Sequence, residues 1–542
     1  MLLRRVAKTL TSAIQTTKTA VCTQRSSKMK TNLGNDEKLI SDIKIYFDNI
    51  KDNILKDICE LVGIKSVRDE STPCMPFGAD TAKALDKGLR IAEKLGFIVK
   101  NGENYVGIAD YGADSEIDVH ELKAHLGILA HLDVVPEGSG WSHDPFDCII
   151  KDGKIYGRGT ADDKGPAVVS MYAVKAANDI TGRLKKPVRV ILGTCEETGS
   201  EDLDYYKKNY KMPDMVFSPD AEFPLINVEK GRIALRFTAK VKPTANMCPE
   251  VIYFYGGDTQ NIVPQEATCC VRFVNHDAFE LLNDFANRTS AYTNVKFEIT
   301  EGTSENTFII HAEGIGAHAS TPEKGNNAQT ALLCLLVALY NKFRDGLCSE
   351  NRCSECQMCD TANFFYYSKV LLQLFPHGDT SGRSIGIDFT DEKTGALTLN
   401  FGVLYYDVGK PLECGIDIRY PGIALFEDNN YEVLRNTIKT TLTRFDFEIS
   451  GESFTLPHAT DENSDLVQIL LDSYEKFTGN EKKCIAIGGG TYVHDIPGGV
   501  AFGCAMPGTD NRMHGADEFA VIDELITSAE IFTYSIIKIC NG

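Results

Sequence analysis

The 542-residue sequence predicts an α/β fold in which a domain with a mainly parallel sheet is interrupted by a second, α+β domain. Three observations lead to this fold class. Strands alternate with helices up to about residue 228, as they do around a parallel sheet. From about residue 229 to residue 455, strands of alternating apolar and polar residues dominate, which is typical of antiparallel sheets. From about residue 456 the first pattern returns, so one domain is inserted into the other.

The elements of the first domain follow one another clearly along the chain. DNILKDICELVGI has the apolar spacing of a helix, and GFIVKNGENYVGIADYG predicts a hairpin that turns at Asn101-Gly102. A buried strand covers Leu126 to Ala130, and a second hairpin turns at Asp152-Gly153. A helix follows, with Pro166 tolerated in its first turn. PVRVILGTCEETGSEDLDYYKKNY then predicts a strand, a turn and a helix, and MVFSPDAEF predicts another short strand.

The inserted domain is predicted to combine antiparallel strands with two helices. The strands are RIALRFTAKV, ATCCVRFV, VKFEIT, TFIIHAEG, ALTLNFGVL and CGIDIRYP. The helices are ALLCLLVALYNKF and YEVLRNTIKTTLTRF. In the last segment, SDLVQILLDSYEKF predicts a further helix, and GGVAFGCAMPG and DELITSAEIFTYSIIK follow it as the α/β pattern returns.

The composition restricts the partners that the protein can have. The formal net charge is −20, from 56 basic and 76 acidic residues, which argues against nucleic acid and anionic membranes. No apolar run reaches ~18 residues, so no transmembrane helix is predicted. The 17 cysteines are scattered and odd in number, which indicates free thiols in a reducing compartment rather than a disulfide framework.

Residues 1–35 differ from the rest of the chain. They contain no Asp or Glu, they are rich in Ser and Thr, and their basic residues are Arg4, Arg5, Lys8, Lys18, Arg25, Lys28 and Lys30. This composition is typical of an organelle transit peptide, with a disordered extension or a start at Met29 as the alternatives. The protein is therefore expected to be intracellular, in the cytoplasm or in an organelle if this segment directs import.

Acidic side chains and one histidine lie where the strands of the first domain are predicted to end. In chain order they are His131, Asp133, Asp162, Asp163, Glu196, Glu197 and Asp220. Singly, each pair has a simpler explanation, such as a glycine turn or the acidic first turn of a helix. Open α/β sheets bind their ligands at the carboxyl ends of strands, so the repetition of this pattern favours one common site.

So many carboxylates in one site would repel each other strongly. At 4 Å, two unit charges interact by about 4 kcal/mol at an effective dielectric constant of 20. Such a group is stable only if cations neutralise it or if its pKa values rise. Imidazole with carboxylates is a ligand set for zinc, and a carboxylate can bridge two metals. The sequence thus predicts a dinuclear site, with Asp133 orienting the ring of the metal-binding His131.

Eight segments of the sequence carry a resemblance to a known family. They are HLDVVPEGSGWSHDPF, YGRGTADDKGP, GTCEETGS, SPDAEFP, GAHASTPEKGNNA, DIRYP, GGGTY and MHGADE. Together they resemble zinc metallopeptidase family M20, and most closely its PepV-type dipeptidases. The matches run from about residue 50 to the C-terminus, in the order of the family.

The resemblance implies a role for each site residue. Asp162 would bridge two Zn²⁺ ions, which Mn²⁺ or Co²⁺ can replace, and the bond between Asp162 and Asp163 would be cis. The other metal ligands would be His131 and Asp220 for one ion, and Glu197 and His514 for the other. Glu196 would be the general base, and His318 would help to polarise the scissile carbonyl. The substrate would be bound by Arg419, Asn261, Gly488, Gly489 and Gly490.

The resemblance also implies a domain plan and a reaction. Residues 36–228 and 456–542 would form a zinc-peptidase-like catalytic domain, and residues 229–455 a ferredoxin-like lid. The protein would hydrolyse dipeptides or other short peptides and would be a monomer, although many relatives are dimers. The alternatives are an N-acyl amino acid deacylase of the same fold and an inactive binding protein.

A cysteine cluster falls outside the resemblance. Its spacing, C-x4-C-x2-C-x2-C, is crowded for one tetrahedral zinc, so a surface insertion with free thiols is favoured over a metal site. Its members are Cys348, Cys353, Cys356 and Cys359.

Overall fold

A computed structural model describes residues 36–113, 116–242, 249–273, 278–349, 363–422 and 430–542. The chain forms two compact units. The first contains Met1–Asn227, Thr460–Ile485 and Thr491–Gly542, and the second contains Val228–Ala459 and Ala486–Gly490. The predicted roles of these parts as catalytic domain and lid stay predictions. Residues 1–35, with the predicted transit peptide, lie outside the described residues.

The chain up to residue 229 builds most of the first unit. Its helices are α1 (36–62), α2 (Ala79–Lys94), α3 (Lys164–Thr181) and α4 (Glu201–Asn209). Its strands are β1 (Ile98–Gly102), β2 (Val106–Tyr111), β3 (Leu126–His131), β4 (Ile149–Lys151), β5 (Lys154–Tyr156), β6 (Val188–Gly193), β7 (Met215–Ser218), β8 (Ala221–Glu222) and β9 (Ile226–Glu229).

The second unit contains the predicted antiparallel strands. Its helices are α5 (Ala278–Thr293), α6 (Ala328–Ser349), α7 (Phe364–Leu374) and α8 (Asn430–Thr443). Its strands are β10 (Gly231–Ala239), β11 (Glu250–Gly256), β12 (Glu266–Arg272), β13 (Lys296–Glu301), β14 (Thr307–Glu313), β15 (Thr390–Asp391), β16 (Gly395–Ala396), β17 (Thr398–Asp407), β18 (Leu412–Tyr420), β19 (Glu448–Thr455) and β20 (His458–Ala459).

The remaining elements lie after residue 460. The helices are α9 (Asp465–Thr478) and α10 (Ile522–Asn541). The strands are β21 (Ile485–Ile487), β22 (Val500–Ala501), β23 (Cys504–Ala505) and β24 (Phe519–Val521). Among the described residues, no helix combines the length and the apolar character that crossing a membrane requires.

The main sheet of the first unit confirms the α/β prediction. Its strand order includes β1-β2-β6-β3-β7-β22-β9, and the four strands from β6 to β22 run parallel. All six residues of β3 and of β6 are buried, as expected for strands covered on both faces. Helices α3 and α10 contribute Met171 and Phe532 to the same apolar core as Ile128 and Val190. This core holds the ends of the parallel strands in place.

The second unit has one large antiparallel sheet with helices packed on it. Eight strands follow the order β13-β14-β12-β11-β17-β18-β10-β19, and every pairing is antiparallel. Its apolar core is separate and includes Leu335 of α6 and Leu371 of α7. The switch to alternating strands at about residue 229 therefore marks a second core, because each sheet must cover its own apolar face.

One predicted hairpin turn is wrong and the other is confirmed. Asn101 and Gly102 belong to β1, where they pair with Gly107 and Val106. The chain turns instead through residues 103–105, because the Asn101 side chain accepts the Asn104 N–H at 2.8 Å and so supports a longer loop. In the second hairpin, Asp152-Gly153 does form the turn, with φ of 52° and 73°.

The expectation of free thiols alone is also wrong at one pair. Cys59, on α1, and Cys148, just before β4, form a disulfide with their Cα atoms 5.2 Å apart. The two residues are 89 positions apart, so no local spacing in the sequence predicts their contact. Other described cysteines, such as Cys195 and Cys269, are unpaired. The cluster from Cys348 to Cys359 lies outside the described side chains.

Candidate metal centre

The sheet of the first unit brings the predicted residues to one edge. β3 lies between β6 and β7, parallel to both, and His131 at its end pairs with Gly193 at the end of β6. Glu196 and Glu197 follow β6 in a short 3-10 turn, and Asp220 follows β7. Because parallel strands end at the same edge, these side chains converge there.

His131 is the buried end of this cluster. Its ring is fully buried, and its Nε2 lies 3.0 Å from Oδ1 of Asp162 and 3.4 Å from Oδ2 of Asp220. Its Nδ1 lies 3.0 Å from the backbone carbonyl oxygen of Asp133 and 3.4 Å from the carboxylate of the same residue. Either acceptor directs the ring so that Nε2 faces the carboxylates.

His514 reaches the same cluster from the last segment of the chain. Its Nε2 lies 3.0 Å from Oδ2 of Asp162 and 3.3 Å from Oε2 of Glu197. The two oxygens of Asp162 therefore face two different imidazoles. This is the arrangement that a carboxylate bridging two metal ions would need.

The backbone around the cluster is held by further carboxylates. Asp133 accepts the N–H groups of Glu196 at 3.2 Å and Glu197 at 3.1 Å, which orients the 3-10 turn. Asp163 accepts the N–H of His131 at 3.0 Å. The peptide bond between Asp162 and Asp163 is cis, as the resemblance implied. These contacts fix the backbone from which the converging side chains project.

The electrostatics of the cluster follow from crowding buried acids. Burial raises the pKa of Glu197 and Asp220. Burial also raises the pKa of Glu196, and the neighbouring Asp220 and Glu197 add to the effect, against His131. Hydrogen bonds to Asp162 and Glu197 raise the pKa of His514 to about 11. These shifts follow from a cluster that carries more negative charge than its own residues neutralise.

The donor set fits divalent cations. His131 Nε2 and Glu197 Oε1 are buried without a hydrogen-bond partner. One ligand atom each of His131, Asp162 and Glu197 can be chosen so that all lie within 4.8 Å of one another. Buried polar atoms normally find partners, so unsatisfied imidazole and carboxylate atoms in this geometry suit a metal such as Zn²⁺.

The predicted substrate residues form a group within the second unit. His318 and Ile262 form an antiparallel bridge, and the N–H of Ala319 donates to the carbonyl of Asn261 at 2.8 Å. Arg419 Nη1 donates to the carbonyl of Gly488 at 3.4 Å. A side chain at Gly488 would lie 2.8 Å from Cβ of Ser320. The predicted residues therefore cluster, although they come from distant parts of the sequence.

The sequence reading missed residues that support the turn after β6. Asp202 Oδ2 accepts the N–H groups of Thr194 and Cys195 and the Tyr492 hydroxyl, at 2.6, 2.8 and 2.6 Å. The Tyr492 ring stands edge-on to the His131 ring, 6.0 Å away. A Cβ at Gly193 would come within 1.8 Å of the Tyr492 hydroxyl, so this contact requires glycine. Tyr492 lies in the GGGTY segment, whose resemblance to the family was the only indication in the sequence that this residue belongs near the site.

A second missed pair lies in two of the quoted segments. Arg158, in YGRGTADDKGP, and Glu518, in MHGADE, are buried and joined by an ion pair of 2.5 Å. Nothing in either segment alone indicates the partner.

Comparison with known proteins identifies the family of the chain. Residues 127–538 match peptidase family M20/M25/M40. The YtjP protein of Bacillus subtilis (strain 168) is 34% identical over 494 residues, which cover 91% of this chain and 98% of that protein. The Beta-Ala-Xaa dipeptidase of Lactobacillus delbrueckii subsp. lactis is 33% identical over 494 residues, covering 90% and 96%.

Solved structures show the same fold. Human carnosine dipeptidase 1 superimposes with a TM-score of 0.53 at 15% identity, over 93% of this chain and 99% of that one. The di-peptidase Dug1p of Saccharomyces cerevisiae gives a TM-score of 0.51 at 13% identity, over 93% and 99%. The family match and the relatives define a metal-dependent hydrolase of peptide bonds. The chain belongs to peptidase family M20/M25/M40.

Proposed function

We propose that this protein is a dipeptidase that holds two divalent metal ions, and that Zn²⁺ is the preferred metal. The observation that carries the proposal is the position of Asp162, whose two oxygens each lie 3.0 Å from a different imidazole. His131 and Asp220 would hold one ion, Glu197 and His514 the other, and Asp162 both. Divalent cations in such a site supply Lewis acidity for water and for a carbonyl group.

Glu196 is the proposed general base. It stands in the 3-10 turn beside Glu197, and its raised pKa suits a group that must take a proton and release it again. Its carboxylate would accept a proton from the attacking water and pass it to the leaving amine. Asp133 would keep the His131 ring and the turn in register through the contacts described above.

The second unit is proposed to bind the substrate. Arg419 would hold the substrate carboxylate with its planar pair of donors. His318 would donate a hydrogen bond to the carbonyl oxygen as negative charge develops there. Asn261 and the glycine turn from Gly488 to Gly490 would contact the peptide backbone. The clustering of these groups within one unit supports the assignment.

The substrate class rests on the relatives. The Beta-Ala-Xaa dipeptidase of L. delbrueckii, at 33% identity over nearly its whole length, supports a small substrate with a free amine and a free carboxylate. An N-acyl amino acid deacylase would use the same metals and base but would prefer an acyl group in place of the amine.

The test is a substrate panel on purified protein that has been stripped with a chelator. Dipeptides, including β-alanyl dipeptides, are compared with N-acetyl and N-succinyl amino acids after addition of Zn²⁺, Co²⁺ or Mn²⁺. We expect dipeptide hydrolysis to return with metal and to be absent in Asp162→Asn. Faster hydrolysis of the N-acyl compounds would make the protein a deacylase, and no metal binding with no hydrolysis would make it a binding protein.

The oligomeric state and the cellular location are proposed separately. We propose a monomer, which light scattering on the purified protein tests. We propose an intracellular location, in the cytoplasm or in an organelle if residues 1–35 direct import. Fusion of residues 1–35 to a fluorescent protein distinguishes these two locations.

A further inference from the structure

A buried glutamate ties together the two loops that carry Asp162 and His514. Glu518 is fully buried and lies four residues after His514, just before β24. Its Oε1 accepts the backbone N–H groups of Gly159 at 3.0 Å, Ala161 at 3.0 Å and Asp162 at 3.3 Å. One carboxylate oxygen thus accepts three backbone hydrogen bonds from the loop that leads to Asp162, the proposed bridging ligand.

The other oxygen of Glu518 is neutralised by an arginine from the same loop. Arg158 Nη1 donates to Oε2 at 2.5 Å, and Arg158 is itself 1% exposed. Its Nη2 donates to the carbonyl of Glu137 at 3.3 Å, and its guanidinium lies 5.2 Å from the ring centre of Trp141. Trp141 donates its ring N–H to the same carbonyl at 2.7 Å. Arg158 is therefore held in place from a third loop.

These contacts engage both oxygens of Glu518, and none of them involves a side chain of the proposed ligands. A backbone hydrogen bond also joins the two loops, because the N–H of Gly157 donates to the carbonyl of Glu518 at 3.0 Å. The link joins residues about 360 positions apart in sequence. Its effect on the metal site is to fix where the Asp162 main chain lies relative to the loop of His514.

We propose that Glu518 and Arg158 are positioning residues that set the Asp162 carboxylate for the metal ions before they bind. The proposal rests on the proposed function, since it assumes that Asp162 is a metal ligand. A carboxylate held this way loses little conformational freedom when a cation arrives. Partners that orient metal ligands change metal affinity by about 10–100-fold when they are removed.

The competing explanation is that the pair only stabilises the fold, and the chain offers a matched control. Asp110 and Arg189 form another buried ion pair in the same unit, with Nε to Oδ1 at 2.7 Å and Nη2 to Oδ2 at 2.8 Å. It joins β2 to β6 and does not contact the loops of Asp162 or His514. Asp110→Asn removes the same kind of charge from the same kind of environment.

The experiment measures Zn²⁺ affinity by competition with a chromophoric chelator, on the full-length protein, together with the melting temperature without metal. For Glu518→Gln we expect Zn²⁺ affinity to fall by about 10–100-fold. For Asp110→Asn we expect a comparable loss of melting temperature and unchanged Zn²⁺ affinity. Equal losses of affinity in the two variants, or unchanged affinity in Glu518→Gln, would overturn the proposal.

A second pair of variants keeps the test decisive if Glu518→Gln fails to fold. Arg158→Lys keeps a cation beside Glu518, and Arg158→Met removes it. We expect Arg158→Lys to recover most of the Zn²⁺ affinity that Arg158→Met loses, and equal affinities in the two would contradict the proposal. If the wild-type protein binds no Zn²⁺ at all, the proposed function fails and the positioning role fails with it. If the wild type binds Zn²⁺ and hydrolyses dipeptides, and substitution of Glu518 or Arg158 leaves Zn²⁺ affinity unchanged, only the positioning role fails.

Discussion

Two clusters of buried carboxylates, one around Asp417 and one around Asp162, are neutralised in different ways. In the second unit, Asp417 is fully buried between two arginines, with Arg232 Nε and Arg419 Nε each 2.6 Å from one of its oxygens. In the first unit, the carboxylates of Asp162, Glu197 and Asp220 lie beside the imidazoles of His131 and His514. Arginines neutralise the Asp417 carboxylate, whereas the cluster around Asp162 has more acid than permanent positive charge.

This difference separates a structural ion pair from a binding site. An arginine stays charged at any physiological pH, so the protein itself neutralises the Asp417 carboxylate. In the Asp162 cluster, burial and neighbouring carboxylates raise the pKa of Glu196, Glu197 and Asp220, which disfavours their negatively charged forms. A site with unmet negative charge and unsatisfied imidazole nitrogen is one that selects cations from solution.

The largest expected effect is on catalysis in the first unit. Glu196→Ala should lower kcat for dipeptides by about 10²–10⁴-fold, because proton transfer loses its acceptor. Zn²⁺ content, measured by elemental analysis, should stay near that of the wild type, since Glu196 is not a proposed ligand. Wild-type turnover in this variant would show that another group is the base.

The next effect concerns the acid of the second unit. Asp417→Asn should lower the free energy of unfolding by about 3 kcal/mol, since it leaves a buried arginine without its partner. Arg232 is partly exposed, which places the expected value at the lower end of the range for buried pairs. Urea denaturation measures the change. If the variant were as stable as the wild type, Asp417 would not be a stabilising ion-pair partner, and the contrast with the Asp162 cluster would be wrong.

Metal addition should distinguish the clusters directly. Zn²⁺ at about 100 times its dissociation constant should stabilise the wild type by about 2.7 kcal/mol. The rise in melting temperature should disappear in Asp162→Asn and persist in Asp417→Asn, whose starting stability is lower. If the rise in melting temperature instead disappeared in Asp417→Asn, the metal would bind near Asp417 and not at the Asp162 cluster.

A further expected effect depends on pH and concerns another buried acid of the first unit. Burial raises the pKa of Glu530, on α10, to about 7, with Lys44 acting in the opposite direction. A raised pKa means that the folded state binds the proton more tightly. The stability that Glu530 contributes is therefore present below its unfolded pKa and is lost as pH rises to about 7.

Glu530→Gln should accordingly melt at a higher temperature than the wild type at pH 8 and at a similar temperature at pH 5. Melting curves across this range test the expectation. A difference between the variant and the wild type that does not change with pH would show that Glu530 titrates normally.

The sequence predicted the strand ends of the first unit well because periodicity and burial are local properties. The run from Leu126 to Ala130 is apolar throughout, and His131 interrupts it at the point where β3 ends. Convergence at one edge then followed from parallel strand order. The Asn101-Gly102 turn failed because a side-chain hydrogen bond to Asn104 outweighs the dipeptide preference.

The features that the sequence could not show depend on distant contacts. Cys59 meets Cys148, Asp202 meets Tyr492 and Arg158 meets Glu518, each across many positions of the chain. No spacing rule pairs such residues, because their meeting depends on how whole strands and helices pack. The pattern at the strand ends predicted the proposed ligands His131, Asp162, Glu197 and Asp220, whereas His514 and the division of roles came only from the resemblance of the segments to a family.

The insertion of the second unit has a consequence for biosynthesis. The proposed ligands His131, Asp162, Glu197 and Asp220 are translated before that unit, and His514 after it. A growing chain therefore carries an incomplete coordination set for most of its time on the ribosome. Metal loading of the proposed site would therefore follow the end of translation, and prematurely terminated products that lack His514 would lack one of the proposed ligands.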